Sequence, residues 1–110
     1  MTHPFYGNKI NADVIQCLSD LLSSFQQGRV SLPALASKID AARSALMLPE
    51  KDWLDSYSKL WGSIEECNAL ALDVGQTSVL PEHKQLLDDA VIKLQSFFSE
   101  TFPAQDPSES

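Results

Sequence analysis

Apolar residues recur along this chain at spacings of three and four, which places their side chains on one face of an α-helix. Four segments show the pattern, and we predict helices over residues 11–27, 31–47, 49–74 and 80–102. No segment shows a convincing strand pattern of alternating apolar and polar residues. The links between segments are short, and short links usually join antiparallel neighbours. The sequence therefore predicts an all-α protein, a four-helix up-and-down bundle.

Residues that commonly begin and end helices support these limits. Asn11 is suited to cap the first segment, and Gly28 is suited to end it. Pro33 and Pro49 fall in the first turns of the second and third segments, where a missing N–H is harmless. Gly75 supplies a stop after the third segment. The apolar stripe of the second segment is narrow, which indicates packing against one neighbouring helix rather than two.

The length of the chain fits a single folded domain. A chain of 110 residues, 44% of them hydrophobic and 21% charged, has enough apolar residues for one core and is too short for two. We assign residues 1–102 to this domain and residues 103–110, PAQDPSES, to a mobile tail. We find no secretory signal and no apolar run long enough to cross a bilayer, so we expect a cytoplasmic protein.

The third segment separates aromatic residues from carboxylates when it is drawn as a helix with about 100° per residue. One side carries mainly apolar and aromatic residues, namely Trp53, Tyr57, Leu60, Trp61, Ile64, Cys67, Asn68 and Ala71. The other side carries Asp52, Asp55, Lys59, Ser63, Glu66 and Asp73. We predict that the aromatic residues belong to the core. The four carboxylates Asp52, Asp55, Glu66 and Asp73 then form an outward row, which we call the acidic ridge.

Gly62 lies on the same outer side. A glycine inside a helix costs about 1 kcal/mol relative to alanine. We therefore expect either a kink at Gly62 or the close approach of another group.

Charge is unevenly distributed between the two halves of the chain, whose net charge is −7. Residues 1–49 contain three acids and four bases, a sum of +1, whereas residues 50–110 contain twelve acids and four bases, a sum of −8. Such an acidic half repels nucleic acid and anionic membranes, and it attracts basic partners.

Apolar residues also lie among these acids. Leu70 lies between Glu66 and Asp73, and Ile92 lies near Asp88 and Asp89. Carboxylates around a small apolar centre are typical of a charge-steered protein interface. The predicted partner-binding residues are Asp52, Asp55, Glu66, Leu70, Asp73, Asp88, Asp89 and Ile92. The alternative is an ordinary solvated surface, because exposed acids and single exposed apolar residues are common on proteins.

Residues for catalysis or for metal binding are not grouped in recognisable motifs. The sequence contains no phosphate-binding glycine motif, no nucleophile motif and no metalloprotease motif. Cys17 and Cys67 are far apart in sequence, as are His3 and His83, so no zinc-site spacing occurs. We expect two reduced thiols, no metal, no cofactor and no enzymatic activity.

The stretch LPEKDWLDSYSKLWGSIEECNALALD, residues 48–73, belongs to a small, acidic, helical chain with few cysteines. A chain of this type resembles the immunity proteins that protect bacteria from their own or their neighbours' toxins. The tyrosine-rich motif of the helical colicin-nuclease inhibitors is absent. The resemblance implies stoichiometric binding to a toxin domain, often a basic nuclease, at its active site or an adjacent surface.

Two other functions remain open at this point. The chain could be a helical adaptor or regulatory subunit, monomeric or dimeric through the apolar residues near the acidic ridge or through the second helix. It could also be a structural bundle without a dedicated site. Salt separates the immunity function from the adaptor, because charge-steered association slows as ionic strength rises whereas apolar association does not. A structural bundle without a site predicts no partner at all.

Overall fold

The computed structural model describes residues 4–102, and helices hold most of this range. In chain order the helices are α1 (Pro4–Gly7), α2 (Lys9–Gln26), α3 (Leu32–Ala45), α4 (Lys51–Asp73) and α5 (Lys84–Thr101), with a 3₁₀ turn at Pro81–His83. Residues 4–102 contain no strand, and the predicted all-α class is confirmed. The predicted tail, residues 103–110, lies outside the described residues, as does His3.

The four long helices pack in a ring. Helix α2 packs against α3 and α5, and α4 also packs against α3 and α5, with the most extensive contact between α4 and α5. Residues 27–31 and 46–50 are short links, so helices that follow one another in the chain are antiparallel neighbours. The arrangement is the predicted up-and-down bundle. Helix α1 is an addition that the sequence did not predict, and it packs against α2.

Helix α3 contacts two neighbours, so the prediction that it packs against one is wrong. The stripe predicted for this helix, Leu32, Leu35, Ile39, Ala42 and Leu46, did not include Ala36, which is buried. The Tyr57 hydroxyl of α4 donates a hydrogen bond to the Ile39 carbonyl of α3, 2.6 Å away. Small side chains let helices approach closely, so the second contact of α3 needs no additional large apolar residue.

Glycine ends α2 and α4, as predicted. Gly28 and Gly75 have φ angles of +78° and +76°, a conformation that side chains with a Cβ disfavour. At the end of α2 the Gly28 N–H donates to the Phe25 carbonyl at 3.0 Å, and the Arg29 N–H donates to the Ser24 carbonyl at 2.9 Å. The same pair of bonds ends α4 around Gly75. These bonds satisfy carbonyls that the helix itself leaves without partners.

Asn11 does not cap α2, so that prediction is wrong. Asn8 is the cap, and its Oδ1 accepts hydrogen bonds from the N–H groups of Ile10 at 2.8 Å and Asn11 at 3.1 Å. The Asn11 side chain is fully buried. It donates to the carbonyls of Phe5 (3.0 Å) and Met47 (2.8 Å), and it accepts from the Met47 N–H (2.6 Å). Asn11 therefore joins α1 and the link that follows α3 to α2.

Helix α4 begins at Lys51, and Glu50 is its cap, so Pro49 lies outside the helix that it was predicted to start. The Glu50 carboxylate accepts from the N–H groups of Asp52 (3.1 Å) and Trp53 (2.9 Å). It also accepts from the Tyr6 hydroxyl at 3.0 Å. Burial and then the nearby Glu50 carboxylate raise the pKa of Tyr6. The first turn of α4 is thus tied to α1.

The remaining helix ends differ from the predicted ones by one to four residues, as is usual at helix ends. The largest difference is at α5. Pro81 opens the 3₁₀ turn, and α5 starts only at Lys84.

Aromatic side chains fill one end of the core and join three helices. Trp53 of α4 stacks on Tyr57 with ring centroids 5.2 Å apart, and it meets Phe5 of α1 at 4.8 Å, edge to face. The Trp53 Nε1–H donates to the Thr101 hydroxyl of α5 at 2.9 Å. Each such aromatic pair contributes about 0.5–1.5 kcal/mol beyond the area that it buries. The predicted core stripe of α4 is confirmed for its buried members Trp53, Tyr57, Ile64, Cys67 and Ala71.

Candidate functional site

The acidic ridge lies on the solvent side of α4. Asp52, Asp55, Glu66 and Asp73 are all exposed, and on the helix they lie within about 60° of one another. The buried stripe occupies the opposite side of α4. From residue 52 to residue 73 the ridge is about 30 Å long at 1.5 Å per residue. Its shape is a strip along the surface, not a pocket.

The carboxylates of the acidic ridge have no partners within residues 4–102. None of the four accepts a side-chain hydrogen bond or forms an ion pair with another described residue, and Lys59, one turn after Asp55, forms no ion pair there either. The ridge therefore presents four unpaired negative charges that can meet the bases of another molecule without breaking an internal contact.

Asp88 and Asp89 of α5 each have a partner on their own helix. Lys84 Nζ pairs with Asp88 Oδ2 at 2.9 Å, and Gln85 Nε2 donates to Asp89 Oδ1 at 2.9 Å. Both contacts join residues one helical turn apart at the surface, where such pairs stabilise a helix only slightly. Asp88 and Asp89 thus differ from the ridge carboxylates, because a partner must compete with these neighbours.

Of the two apolar residues predicted among the acids, only Ile92 is exposed. Ile92 is 54% exposed on the outer side of α5, between Asp88 and Asp89 when the helix is viewed along its axis. Leu70 is partly buried, so it is a weaker anchor than predicted. The exposed leucine near the end of α4 is Leu72, 48% exposed, which points about 100° away from Asp73.

The predicted residues therefore form two groups on neighbouring helices. One group is the acidic ridge with Leu70 on α4, and the other is Asp88, Asp89 and Ile92 on α5. Helices α4 and α5 pack against each other. Within residues 4–102 no hydrogen bond or ion pair links the two groups.

A groove that was not predicted from the sequence lies between α2 and α3. The groove has a volume of about 480 Å³. Its walls include Ile10, Val14, Cys17 and Leu21 of α2, and Lys38 and Ala42 of α3. The signal is present in the sequence, because the four α2 residues are spaced by four, three and four positions. Val14 and Leu21 belong to the apolar stripe that predicts the first helix (Val14, Ile15, Leu18, Leu21, Leu22 and Phe25), yet both are only partly buried.

Cys17, Cys67 and His83 lie on three different elements, and the Cys67 Sγ is 3.9 Å from the His83 carbonyl oxygen. Cys17 is exposed on α2, whereas Cys67 is buried on α4, and burial together with nearby Glu66 raises the pKa of the Cys67 thiol. The described residues contain no group of three or more His, Cys, Asp or Glu side chains placed to hold a metal ion. No helix among them has the length and apolar composition of a membrane span.

Comparison of this chain with protein-family models, with curated proteins and with solved structures gave no match. Function is therefore inferred from the charge, exposure and geometry of the residues described above.

Proposed function

We propose that this chain is a non-catalytic immunity protein that binds a basic toxin domain through the acidic ridge of α4. The observation that carries the proposal is the row of four exposed carboxylates that have no partner within the described residues. A nuclease domain grips phosphate with Lys and Arg side chains, and a row of carboxylates complements such a surface. Bound there, the chain occludes the active site or a neighbouring surface of the toxin.

The length of the acidic ridge favours a groove or an extended surface on the toxin over a narrow pocket. A strip of about 30 Å can meet several bases along a surface that follows a nucleic-acid backbone. One exposed charge pair contributes only about 0.2–1 kcal/mol. The ridge therefore acts mainly by accelerating and orienting the encounter of the two proteins.

Apolar contact on the α5 side supplies the desolvated part of the proposed interface. Ile92 is the more exposed of the two exposed large apolar residues of α5, the other being Leu86, and the polar residues around Ile92 include Asp88 and Asp89. Binding energy in protein interfaces is concentrated in such desolvated centres within a polar rim. Partly buried Leu70 adds a smaller apolar area beside the ridge.

The acidic ridge is held by a single continuous helix of 23 residues, α4, which packs against both α3 and α5. Its carboxylates therefore keep their spacing before the partner arrives, which lowers the ordering cost of binding. Gly62 lies on the same side, and apart from its chain neighbours and the nearby backbone of α4 no heavy atom lies within 4 Å of the position that its Cβ would occupy. This gap admits a side chain of the partner close to the helix.

Inhibition by occlusion requires no catalysis, metal or cofactor from this chain. We place the interaction in the cytoplasm, where a nuclease toxin meets its nucleic-acid substrate. The chain itself does not bind nucleic acid in this proposal, because its exposed ridge has the same sign of charge as phosphate.

The test is a double charge reversal, Asp55→Lys with Glu66→Lys, measured as the association rate with the basic protein that the chain captures from its native host. We expect the rate at low salt to fall at least tenfold, because two attractive charges become repulsive. The matched control is Asp20→Lys with Asp40→Lys, which changes net charge equally at exposed positions of α2 and α3. We expect that control to change the rate by less than about threefold.

Two results would contradict the proposal. One is an unchanged association rate in the variant of the acidic ridge, with its helical content and midpoint of unfolding retained. The other is an equal loss in both variants, since that result would indicate a response to net charge and not to the ridge. A helical adaptor that binds through apolar contact is distinguished by salt, because its association barely changes as ionic strength rises.

A further inference from the structure

Helix α2 carries a second apolar stripe that its own bundle covers only in part. The stripe consists of Ile10, Val14, Cys17 and Leu21, spaced by four, three and four residues. Ile10 is 53% exposed, Cys17 is exposed, and Val14 and Leu21 are partly buried. Alternating spacings of three and four are those of a helix that packs along another helix.

Helix α3 forms the opposite wall of the groove with one lysine and two alanines. Lys38, Ala42 and Ala45 line it at spacings of four and three. Alanine side chains let a neighbouring backbone come close. A groove between two helices, with an apolar stripe along one wall and alanines along the other, has the shape that receives a third helix.

We propose that a second copy of this chain docks in this groove, with its α2 antiparallel to the α2 that lines the groove. In such a twofold arrangement each α2 lies in the groove of the other copy. The second apolar stripes of the two copies then face each other and leave water together.

Charge supports a second copy as the occupant. Asp13 of α2 and Lys38 of α3 line the groove, both are exposed, and neither forms an ion pair within residues 4–102. The link at residues 27–31 joins the antiparallel helices α2 and α3. Lys38 is in the half of α3 nearer to this link, so it lies beside the C-terminal half of α2, whereas Asp13 is in the N-terminal half of α2. Antiparallel pairing of two α2 helices therefore brings Asp13 of each copy beside Lys38 of the other.

The distribution of charge also selects the face through which two copies can meet. Helices α2 and α3 together carry three acids and three bases, whereas α4 and α5 carry eight acids and four bases. Two copies repel each other through α4 and α5 but not through α2 and α3. The acidic ridge of each copy lies outside the proposed dimer interface. The dimer can therefore be tested independently of the proposed function.

The size of this face predicts a weak dimer. Helices of 18 and 14 residues are about 27 and 21 Å long, and side by side they present roughly 500 Å². Stable interfaces bury about 800 Å² on each partner. We therefore expect a dissociation constant on the order of 10–100 µM.

Sedimentation equilibrium of the full chain from about 5 µM to 1 mM tests the dimer. We expect the wild type to dimerise and Ile10→Glu to remain monomeric, because a carboxylate then enters the apolar seam. The control is Leu72→Glu, the same type of change at an exposed apolar residue of α4, which should leave the dimer unchanged. A wild type that is monomeric at 1 mM, or a dimer broken by Leu72→Glu and not by Ile10→Glu, overturns the proposal.

A charge swap tests the orientation. Asp13→Lys and Lys38→Asp should each weaken the dimer about tenfold, and the chain with both changes should recover to within about threefold of the wild type. Both side chains are exposed, so the fold tolerates the changes. Failure of the double variant to recover, or the absence of any effect in the single variants, contradicts the antiparallel arrangement.

Cross-linking at Cys17 gives an independent readout. Cys17 lies next to the midpoint of α2 (Lys9–Gln26). The antiparallel arrangement therefore places Cys17 of one copy near Cys17 of the other. Cys67 is buried and does not compete for reagent. A short bis-maleimide, which adds one thiol to each of its two double bonds, should yield a covalent dimer from the wild type and none from Cys17→Ser. A dimer in sedimentation that gives no Cys17 cross-link would use another face and overturn the proposal.

Discussion

Tyr57 couples a single buried hydroxyl to the packing of two helices. Its side chain is fully buried, and its hydroxyl donates to the Ile39 carbonyl at 2.6 Å, which joins α4 to α3. Burial raises the pKa of Tyr57 well above its ordinary value of 10, Asp40 adds to the shift, and Arg43 opposes it. The folded chain therefore keeps this proton at a pH at which the unfolded chain loses it.

We predict from this shift that the stability advantage of wild type over Tyr57→Phe disappears at high pH. At pH 8 the substitution should lower the free energy of unfolding by about 1 kcal/mol, through the lost hydrogen bond. Above pH 10 the unfolded wild type ionises, and its stability relative to Tyr57→Phe falls by about 1.4 kcal/mol per pH unit. Urea unfolding of both chains from pH 8 to pH 11 should show the two converging near pH 11. A difference that stays constant over this range would contradict the assignment.

Asn11 shows what the sequence cannot reveal at the scale of one residue. Asparagine is a favoured helix cap, so an asparagine before an apolar stripe predicts a cap. Asn8 has the same chemistry and takes that role, while Asn11 bonds Phe5 and Met47. The second partner is 36 residues away in the chain. The sequence pattern around Asn11 cannot predict a hydrogen-bond partner that comes close only when the chain folds.

At the scale of the element, in contrast, some helix ends depend only on residues close in sequence. The stops at Gly28 and Gly75 were predictable because every bond of the capping motif joins residues within six positions of one another. The start of α4 was not predictable in the same way. Glutamate is not among the favoured caps, and Glu50 is held in place in part by Tyr6, which arrives from α1.

Gly62, inside α4, and Gly75, just after it, should respond oppositely to substitution by alanine. Helix α4 is continuous through Gly62, and the space for a Cβ there is open. Gly62→Ala should therefore raise the free energy of unfolding by about 0.5–1 kcal/mol. Gly75 has a φ of +76°, so Gly75→Ala should lower the free energy of unfolding by about 1 kcal/mol. Urea unfolding measures both. A destabilising Gly62→Ala would show that α4 depends on glycine at this position for a bend.

The two apolar stripes of α2 show a second limit on what can be predicted from sequence for a single helix. On a helix the stripe of Ile15, Leu18 and Leu22 adjoins the stripe of Ile10, Val14, Cys17 and Leu21, so the pattern reads as one broad apolar face. The position of α3 determines which of these two stripes is buried and which lines the groove. Pattern alone predicts which residues avoid water, but not which neighbour covers them.

At the scale of the whole molecule, charge divides the surface into two kinds of face. Helices α4 and α5 carry twice as many acids as bases, whereas α2 and α3 carry equal numbers and a largely apolar groove. The exposure of the acidic ridge followed directly from helical periodicity. The engagement of Asp88 and Asp89, and the partial burial of Leu70, depend on rotamers and packing that periodicity does not fix.

The most direct test of the central claim is capture from the native host with tagged chain at about 50 and 500 mM salt, followed by intact mass and a nuclease assay of whatever elutes. We predict one basic protein at equal stoichiometry at low salt, with less at high salt. Its nuclease activity should be inhibited by the wild type and by Asp20→Lys with Asp40→Lys, but not by Asp55→Lys with Glu66→Lys. Recovery of the chain alone, or only with its own copy, at both salt concentrations would contradict the proposed immunity function.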